Sequence, residues 1–140
     1  MKLSLLLISI LLFTSCSERE WQKLDLVLPE GFPEITYKRT DLSSGYVGSE
    51  QKRKLILSDQ IEIDLPVQMS ARNSVNVYSI SDSLLYFQDE STGFTVNLES
   101  SEVQEIRLDS DLSKVFVGEI VSPNIEDLEF IPITKIINNQ

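Results

Sequence analysis

The stretch VNVYSISDSLLYFQDESTGFTVNL, residues 75–98, decides the fold of this chain. It contains three runs rich in β-branched and aromatic residues, separated by the polar segments Ser81-Asp82-Ser83 and Asp89–Gly93. Small polar side chains bond to nearby backbone and glycine permits positive φ, so both polar segments predict turns. We therefore expect a three-stranded antiparallel meander made of Val75–Ile80, Leu84–Gln88 and Phe94–Leu98.

Alternating polarity in other segments extends the β prediction along the chain. In Ile61-Glu62-Ile63-Asp64-Leu65 the apolar side chains share one face and both carboxylates share the other. The segment Leu24–Leu28 alternates in the same way, whereas Val115–Val117 is apolar on both faces, as in a central strand. The polar residues Ser58-Asp59-Gln60 predict a hairpin turn before Ile61.

The segment Glu102–Leu108 fits either a short helix or a strand. Because Ile106 and Leu108 alternate with Arg107, the pattern favours a strand. Short strands with frequent turns predict one all-β domain over residues 23–137, a small antiparallel β-sandwich or a barrel-like meander.

The first residues of the chain have the order of a secretory signal. A positive charge at Lys2 precedes Leu3–Phe13, which is apolar apart from two serines, and the small residues Thr14 and Ser15 come before Cys16. The apolar run is shorter than the roughly 20 residues that a membrane-spanning helix needs. We therefore expect residues 1–15 to be a cleaved signal peptide.

The segment Leu12-Phe13-Thr14-Ser15-Cys16 resembles the lipobox of bacterial lipoproteins. The resemblance implies lipid on the Cys16 thiol, cleavage before Cys16, and a short tether over residues 16–22. In that family, Ser17 after the cysteine fits sorting to the outer membrane. The alternative is that Cys16 is an ordinary buried cysteine in the first strand of a cytoplasmic protein. In either case a single cysteine excludes a disulfide within the chain.

The charge balance excludes one class of partner. The chain has twenty-two Asp and Glu residues but only twelve Lys and Arg residues, which gives a net charge of −10. This negative charge opposes nucleic-acid binding. It also opposes adsorption of the whole domain onto anionic lipid, so the expected membrane attachment is the lipid on Cys16. An acidic surface attracts a basic partner, although it is equally explained by solubility.

The chain lacks most of the residues that carry catalysis. With no histidine and one cysteine, histidine-dependent nucleophile systems and the usual zinc sites are absent, and we expect no metal or cofactor. Carboxylates remain: Glu62 and Asp64 share a strand face and could in principle cleave glycosidic bonds. The simpler interpretation is that this face is the solvated one.

Two further patterns allow a ligand. Asp109-Ser110-Asp111-Leu112-Ser113 resembles the start of an EF-hand calcium loop, but Lys114 replaces the glycine and Ile120 the final acid, which favours a polar turn. The aromatic residues Trp21, Tyr78, Tyr86 and Phe87 either bind a partner or fill the core.

The sequence thus predicts a lipoprotein anchored through Cys16 in the cell envelope, most naturally at the outer membrane. Its β-domain would bind a protein or glycan partner without catalysis, and an inhibitor or immunity protein is the sharper version of this hypothesis. The alternative is a small glycan-processing enzyme that uses carboxylates alone.

Overall fold

A computed structural model describes residues 20–41, 50–68, 74–89, 92–107, 112–123 and 127–134. These residues form ten strands. The strands are β1 (Gln22–Leu26), β2 (Ile35–Asp41), β3 (Gln51–Leu57), β4 (Ile61–Gln68), β5 (Val75–Ser81), β6 (Leu84–Gln88), β7 (Gly93–Asn97), β8 (Glu102–Ile106), β9 (Val115–Val121) and β10 (Glu129–Pro132).

The strands belong to two antiparallel sheets. A four-stranded sheet has the order β1-β2-β3-β4, and a six-stranded sheet has the order β10-β9-β5-β6-β7-β8. In the second sheet, β5 to β8 form a meander, while β9 returns to pair with the other edge of β5. The predicted meander over Val75–Leu98 is confirmed by the β5–β6 and β6–β7 pairings.

The sheets pack face to face around one core. At the sheet edges β1 lies beside β10 and β4 lies beside β8. Buried apolar side chains from both sheets form a single cluster, which includes Leu55 and Leu57 of β3 and the stacked rings of Phe87 and Phe94. The all-β prediction is therefore confirmed, and the arrangement is consistent with a small β-sandwich.

The turn between β3 and β4 forms as the polar residues predict. Ser58 and Asp59 have φ of 48° and 57°, and the Gln60 N–H donates to the Leu57 carbonyl at 3.1 Å. Positive φ at both central residues gives the turn the twist that an antiparallel hairpin requires.

The uncertain segment after β7 is a strand. Its residues Glu102–Ile106 form β8 at the edge of the six-stranded sheet, so the preference for strand over helix is confirmed. The first strand begins at Gln22, one residue before the expected start of the domain.

Gly118 lies on β9 where the backbone and the Phe130 ring of β10 pack closely against it. A β-bulge between Val77 and Tyr78 shifts the pairing of β5 with β9, and Val77 lies opposite Gly118. A Cβ on Gly118 would lie 2.5 Å from the Phe130 ring and 2.7 Å from the Ile131 carbonyl oxygen. Only glycine leaves room for Phe130 of β10 to cover this position.

Candidate functional site

The outer face of the six-stranded sheet carries a group of aromatic residues. Tyr78, Tyr86 and Phe116 lie on adjacent strands, with ring centroids 5.7 Å apart for the tyrosine pair and 5.3 Å for Tyr78 and Phe116. They point away from the core because Val77 and Phe87, their neighbours along β5 and β6, point into it. We call this surface the aromatic face.

Tyr86 is the most enclosed member of the aromatic face. Its side chain lies over Gly93 of β7, where a Cβ would meet the Tyr86 hydroxyl and lie 2.8 Å from its ring. The residue is only 1% exposed although it points outward. Burial raises the pKa of the Tyr86 hydroxyl, and the neighbouring Tyr78 and Asp89 add to the increase. Tyr86 is therefore neutral at physiological pH.

Lys114 brings a positive charge to these rings. Its Nζ lies 4.6 Å from the Tyr78 centroid and 4.3 Å from the Tyr86 centroid, within the range of a cation–π interaction. The ammonium therefore covers the ring faces on which a sugar would stack. A partner that contacts ring edges and the half-buried Phe116 suits this surface better.

A second site, which is polar, lies between the sheets. The sequence pattern did not predict a site there. Arg39 and Arg53 lie opposite each other on β2 and β3, and both point inward with 4% and 2% exposure. Arg39 donates through Nε and Nη2 to the Gln22 Oε1 at 3.0 and 2.7 Å, and through Nη1 to the Ser122 Oγ at 3.1 Å. Arg39 thus joins the four-stranded sheet to the residue after β9. We call Gln22, Arg39, Arg53, Asp89 and Ser122 the arginine cluster.

Arg53 makes the second link between the sheets. Its Nε and Nη2 donate to the Pro66 carbonyl oxygen at 3.1 and 2.6 Å, and Nη2 lies 3.4 Å from the Asp89 Oδ2. Asp89 follows β6 and accepts a bond from the Thr92 N–H at 2.7 Å. The guanidinium also lies 5.4 Å from the centroid of the Phe94 ring.

Tyr37 borders the arginine cluster from β2. The residue is 1% exposed, and burial raises the pKa of its hydroxyl, although Arg53 and Arg39 oppose the increase by favouring the phenolate. Two arginines, a carboxylate and a neutral phenol therefore share one end of the interior. We expect such a buried network to influence how the sheets align, because the guanidinium groups take acceptors from both sheets.

The carboxylates that the sequence singled out lie on the exposed outer face of the four-stranded sheet. Lys54 Nζ lies 3.1 Å from the Glu62 Oε2 and 3.5 Å from the Asp64 Oδ1. The hydrogen bond with Glu62 raises the pKa of Lys54, and the same bond lowers the pKa of Glu62. Glu62 is therefore an ionised partner of Lys54 at neutral pH, and both acids lie on the solvated face that the simpler interpretation predicted.

A groove lies on the same sheet nearer the β3–β4 turn. It has a volume of about 440 Å³, and three carboxylates line it, those of Asp25, Glu34 and Asp59. Asp25 accepts a hydrogen bond from the Thr36 hydroxyl at 2.6 Å. We call this concavity the acidic groove; the sequence pattern did not identify it because its residues come from three separate segments.

The remaining predicted site residues divide between three places. Phe87 lies in the core, where most aromatic residues were expected. Trp21 is half-buried beside the outer face of the four-stranded sheet, with the Lys54 Nζ 5.5 Å from its ring centroid. Cys16 and the candidate calcium ligands Asp109, Ser110 and Asp111 lie outside the described residues.

Neither a membrane-spanning helix nor a cluster of metal ligands is found among the described segments. No helix in that part of the chain is long and apolar enough to cross a membrane. No three acidic or other metal-ligating side chains in the described ranges lie close enough together to hold a metal ion.

Tyr78 and Phe116 of the aromatic face are half-buried on the outside of a sheet, so theirs are the rings that the geometry offers most directly to a partner. Comparisons of the chain with protein families, with curated proteins and with solved structures found no match.

Proposed function

We propose that this protein is a bacterial lipoprotein of the cell envelope, anchored by lipid on Cys16 at the outer membrane. It binds a protein partner through the aromatic face and performs no catalysis. The anchor rests on the order of charge, apolar run, small residues and cysteine in residues 2–16. The binding activity rests on one observation: the half-buried rings of Tyr78 and Phe116 lie together on the outside of a sheet, and Tyr78 packs against the enclosed Tyr86.

Aromatic side chains are the residues that most often dominate protein interfaces. Tyrosine and tryptophan combine a large apolar area with a polar group and lose little conformational entropy on binding. Here Gly93 and Lys114 hold the rings in place before any partner arrives. A surface that is already ordered loses less free energy on association, which favours a specific interface.

Charge around the aromatic face favours a basic partner. Besides the buried Asp89, the described residues from 74 to 134 include seven carboxylates but only two basic residues, Arg107 and the Lys114 that lies over the rings. Glu119 lies opposite Asn76, which precedes Tyr78 by two residues on β5 and therefore shares its outer face. The combination of an aromatic centre and acidic surroundings supports an inhibitor or immunity protein that covers a basic surface.

The anchor is tested by labelling cells with radioactive palmitate. We expect the wild-type protein to incorporate the label and Cys16→Ala to lose all of it. Ser15→Ala is the matched control, since it keeps a small residue before the cysteine and the thiol itself. Label retained in Cys16→Ala would contradict the anchor.

The binding site is tested with a partner captured from envelope extract by the full-length protein and then purified. We expect Tyr78→Ala and Phe116→Ala each to weaken binding to that partner at least tenfold, the loss typical of interface anchors. Val67→Ala is the control, because Val67 is an exposed apolar residue of the other sheet. Equal binding by all variants would exclude the aromatic face as the site.

The acidic groove supports a second candidate function, that of a glycan-processing enzyme. Glycosidases place two carboxylates about 5–10 Å apart across a sugar, and the groove presents three. We expect such an enzyme to release reducing ends from cell-wall glycan and to lose that activity in Glu34→Gln and Asp59→Asn. An unchanged rate in both variants would exclude the groove as its active site.

A further inference from the structure

The outer face of the four-stranded sheet carries a row of lysines. Lys23 lies opposite Lys38, and Lys38 lies opposite Lys54, so the row crosses β1, β2 and β3. Lys52 lies two residues from Lys54 on the same face of β3. All four point outward because Gln22, Arg39 and Arg53, which alternate with them, point inward. We call Lys23, Lys38, Lys52 and Lys54 the lysine face.

This arrangement is unfavourable in the isolated domain. Like charges directly opposite each other on neighbouring strands destabilise a sheet. The acids Glu62 and Asp64 bridge Lys54, but no other described carboxylate lies within ion-pair distance of Lys23, Lys38 or Lys52. A negatively charged surface against the lysine face would therefore relieve the repulsion among the lysines that have no described ion pair.

The lysine face is a local exception to the charge of the chain. The whole protein carries a net charge of −10, yet four of its twelve basic residues lie within one patch of the four-stranded sheet. Net charge governs approach from a distance, whereas a surface in contact responds to the charges within about one Debye length, roughly 8 Å. Asp25 and Asp59 border the lysine face on the side of the β3–β4 turn, where they line a small concavity together with Lys23 and Lys38.

Trp21 points to a lipid surface as the partner. It is the only tryptophan in the chain, it precedes β1, and the Lys54 Nζ lies 5.5 Å from its ring centroid. Tryptophan prefers the interface between water and lipid, and lysine side chains beside it reach toward headgroups. An anionic glycan offers the charge for the lysines but not the boundary that indole prefers.

The distance from the anchor agrees with this placement. Trp21 is the fifth residue after Cys16, so the two are at most about 18 Å apart even when the chain is fully extended. With lipid on Cys16, the lysine face therefore lies within reach of the headgroups of the same membrane.

We propose that the lysine face docks on the anionic headgroups of the membrane to which Cys16 attaches the chain. The docked orientation turns the aromatic face, on the opposite sheet, away from the membrane and toward a partner. This inference deepens the proposed function and rests on its anchor.

The test is amine labelling of the full-length protein, purified as the cell processes it and mixed with lipid vesicles. One set of vesicles contains phosphatidylcholine alone, and the other contains phosphatidylcholine with phosphatidylglycerol. A membrane-impermeant acetylating reagent marks exposed lysines, and mass spectrometry reads the rate at each position. We expect acetylation of Lys23, Lys38 and Lys52 to slow at least threefold on the anionic vesicles and to recover in high salt.

Lys114 is the matched control, because it lies over the aromatic face of the other sheet. Its rate is expected to be the same on both kinds of vesicle. In a variant with Lys23, Lys38 and Lys52 all replaced by glutamine, Lys54 is the one lysine left in the patch. We expect Lys54 in this variant to be acetylated at the same rate on both kinds of vesicle. If each lysine contributes as juxtamembrane basic residues do, the replacement weakens docking about a hundredfold.

Flotation of the same samples separates the anchor from the docking. Protein that floats with both kinds of vesicle, but is protected only on anionic ones, supports both proposals. Flotation with both and equal labelling overturns the docking and leaves the anchor. Flotation and protection with anionic vesicles alone overturns the anchor and supports the lysine face. Flotation with neither overturns both, and protection by a soluble anionic glycan but not by vesicles overturns the membrane as the partner.

Discussion

The interior of the sandwich differs between its two ends, and strand β3 shows the difference within seven residues. Leu55 and Leu57 point into a layer of apolar side chains, whereas Arg53 and Gln51, on the same face, point into the arginine cluster. An apolar side chain is stabilised by leaving water and needs no particular partner. A buried guanidinium is tolerated only where acceptors from several strands converge on it. The apolar end thus makes the fold stable, while the polar end determines how the sheets meet.

The largest effect is expected at the polar end. Arg53→Met should lower the free energy of unfolding by about 3–5 kcal/mol, because it leaves the Asp89 carboxylate buried without its guanidinium. Urea unfolding followed by circular dichroism measures the change. Adding Asp89→Leu should restore part of the loss, and a double variant less stable than Arg53→Met would contradict this. The control Lys54→Met removes an exposed ion pair and should cost about 0–1 kcal/mol.

A smaller average loss is expected two residues along the same strand. Leu55→Ala should cost about 2–5 kcal/mol, because it leaves a cavity in the core. Unlike the arginine substitution, it should not be rescued by a second truncation, and Leu55→Ala with Val96→Ala should be less stable than either single variant. Recovery of stability in that double variant would erase the distinction between the two ends. The same urea titration gives the comparison.

Gly118 tests how tightly the apolar end is packed. A methyl group there collides with the Phe130 ring and with the Ile131 carbonyl of the neighbouring strand. Backbone cannot rotate away as a side chain can, so Gly118→Ala should cost about 1–3 kcal/mol. Thermal unfolding is a sufficient measurement. A melting temperature equal to that of the wild-type protein would show that β9 and β10 separate easily.

The smallest effect is a pH dependence at the border of the arginine cluster. Burial raises the pKa of Tyr37 above its usual 10.0, so the folded state binds this proton more tightly than the unfolded state. The stability from the neutral phenol is complete below pH 10 and is lost as pH rises through the higher folded pKa. We expect Tyr37→Phe to cost about 0.5–1.5 kcal/mol at pH 7 and to flatten the loss of stability between pH 9 and 11. Parallel slopes for the two proteins would contradict this.

Much of the fold was predictable from local pattern. The meander over Val75–Leu98, the turn at Ser58-Asp59 and the solvated carboxylates of β4 all follow from period-two alternation and turn chemistry. The same alternation, extended backward from Leu55 and forward from Tyr37, places Arg53 and Arg39 on the inner face. That placement contradicts the general rule that charged side chains are rarely buried without partners, so local pattern alone does not predict the two buried arginines.

The candidate sites were less predictable, because each combines residues from distant segments. Tyr78 and Tyr86 were noted in the sequence, but Phe116 and Lys114 join them only through the pairing of β5 with β9. The lysine face arises in the same way from three strands, and the acidic groove from residues of three segments.

By itself the sequence determined the all-β class, the meander and the turns beside the alternating strands, and it predicts the address implied by Cys16. These depend on neighbours in the chain, because alternation, turn propensity and a signal are all local properties. Only the tertiary structure decided which strands pair, which charges are buried and which rings share the outer face. Those outcomes depend on distances between residues far apart in the chain, which no local pattern contains.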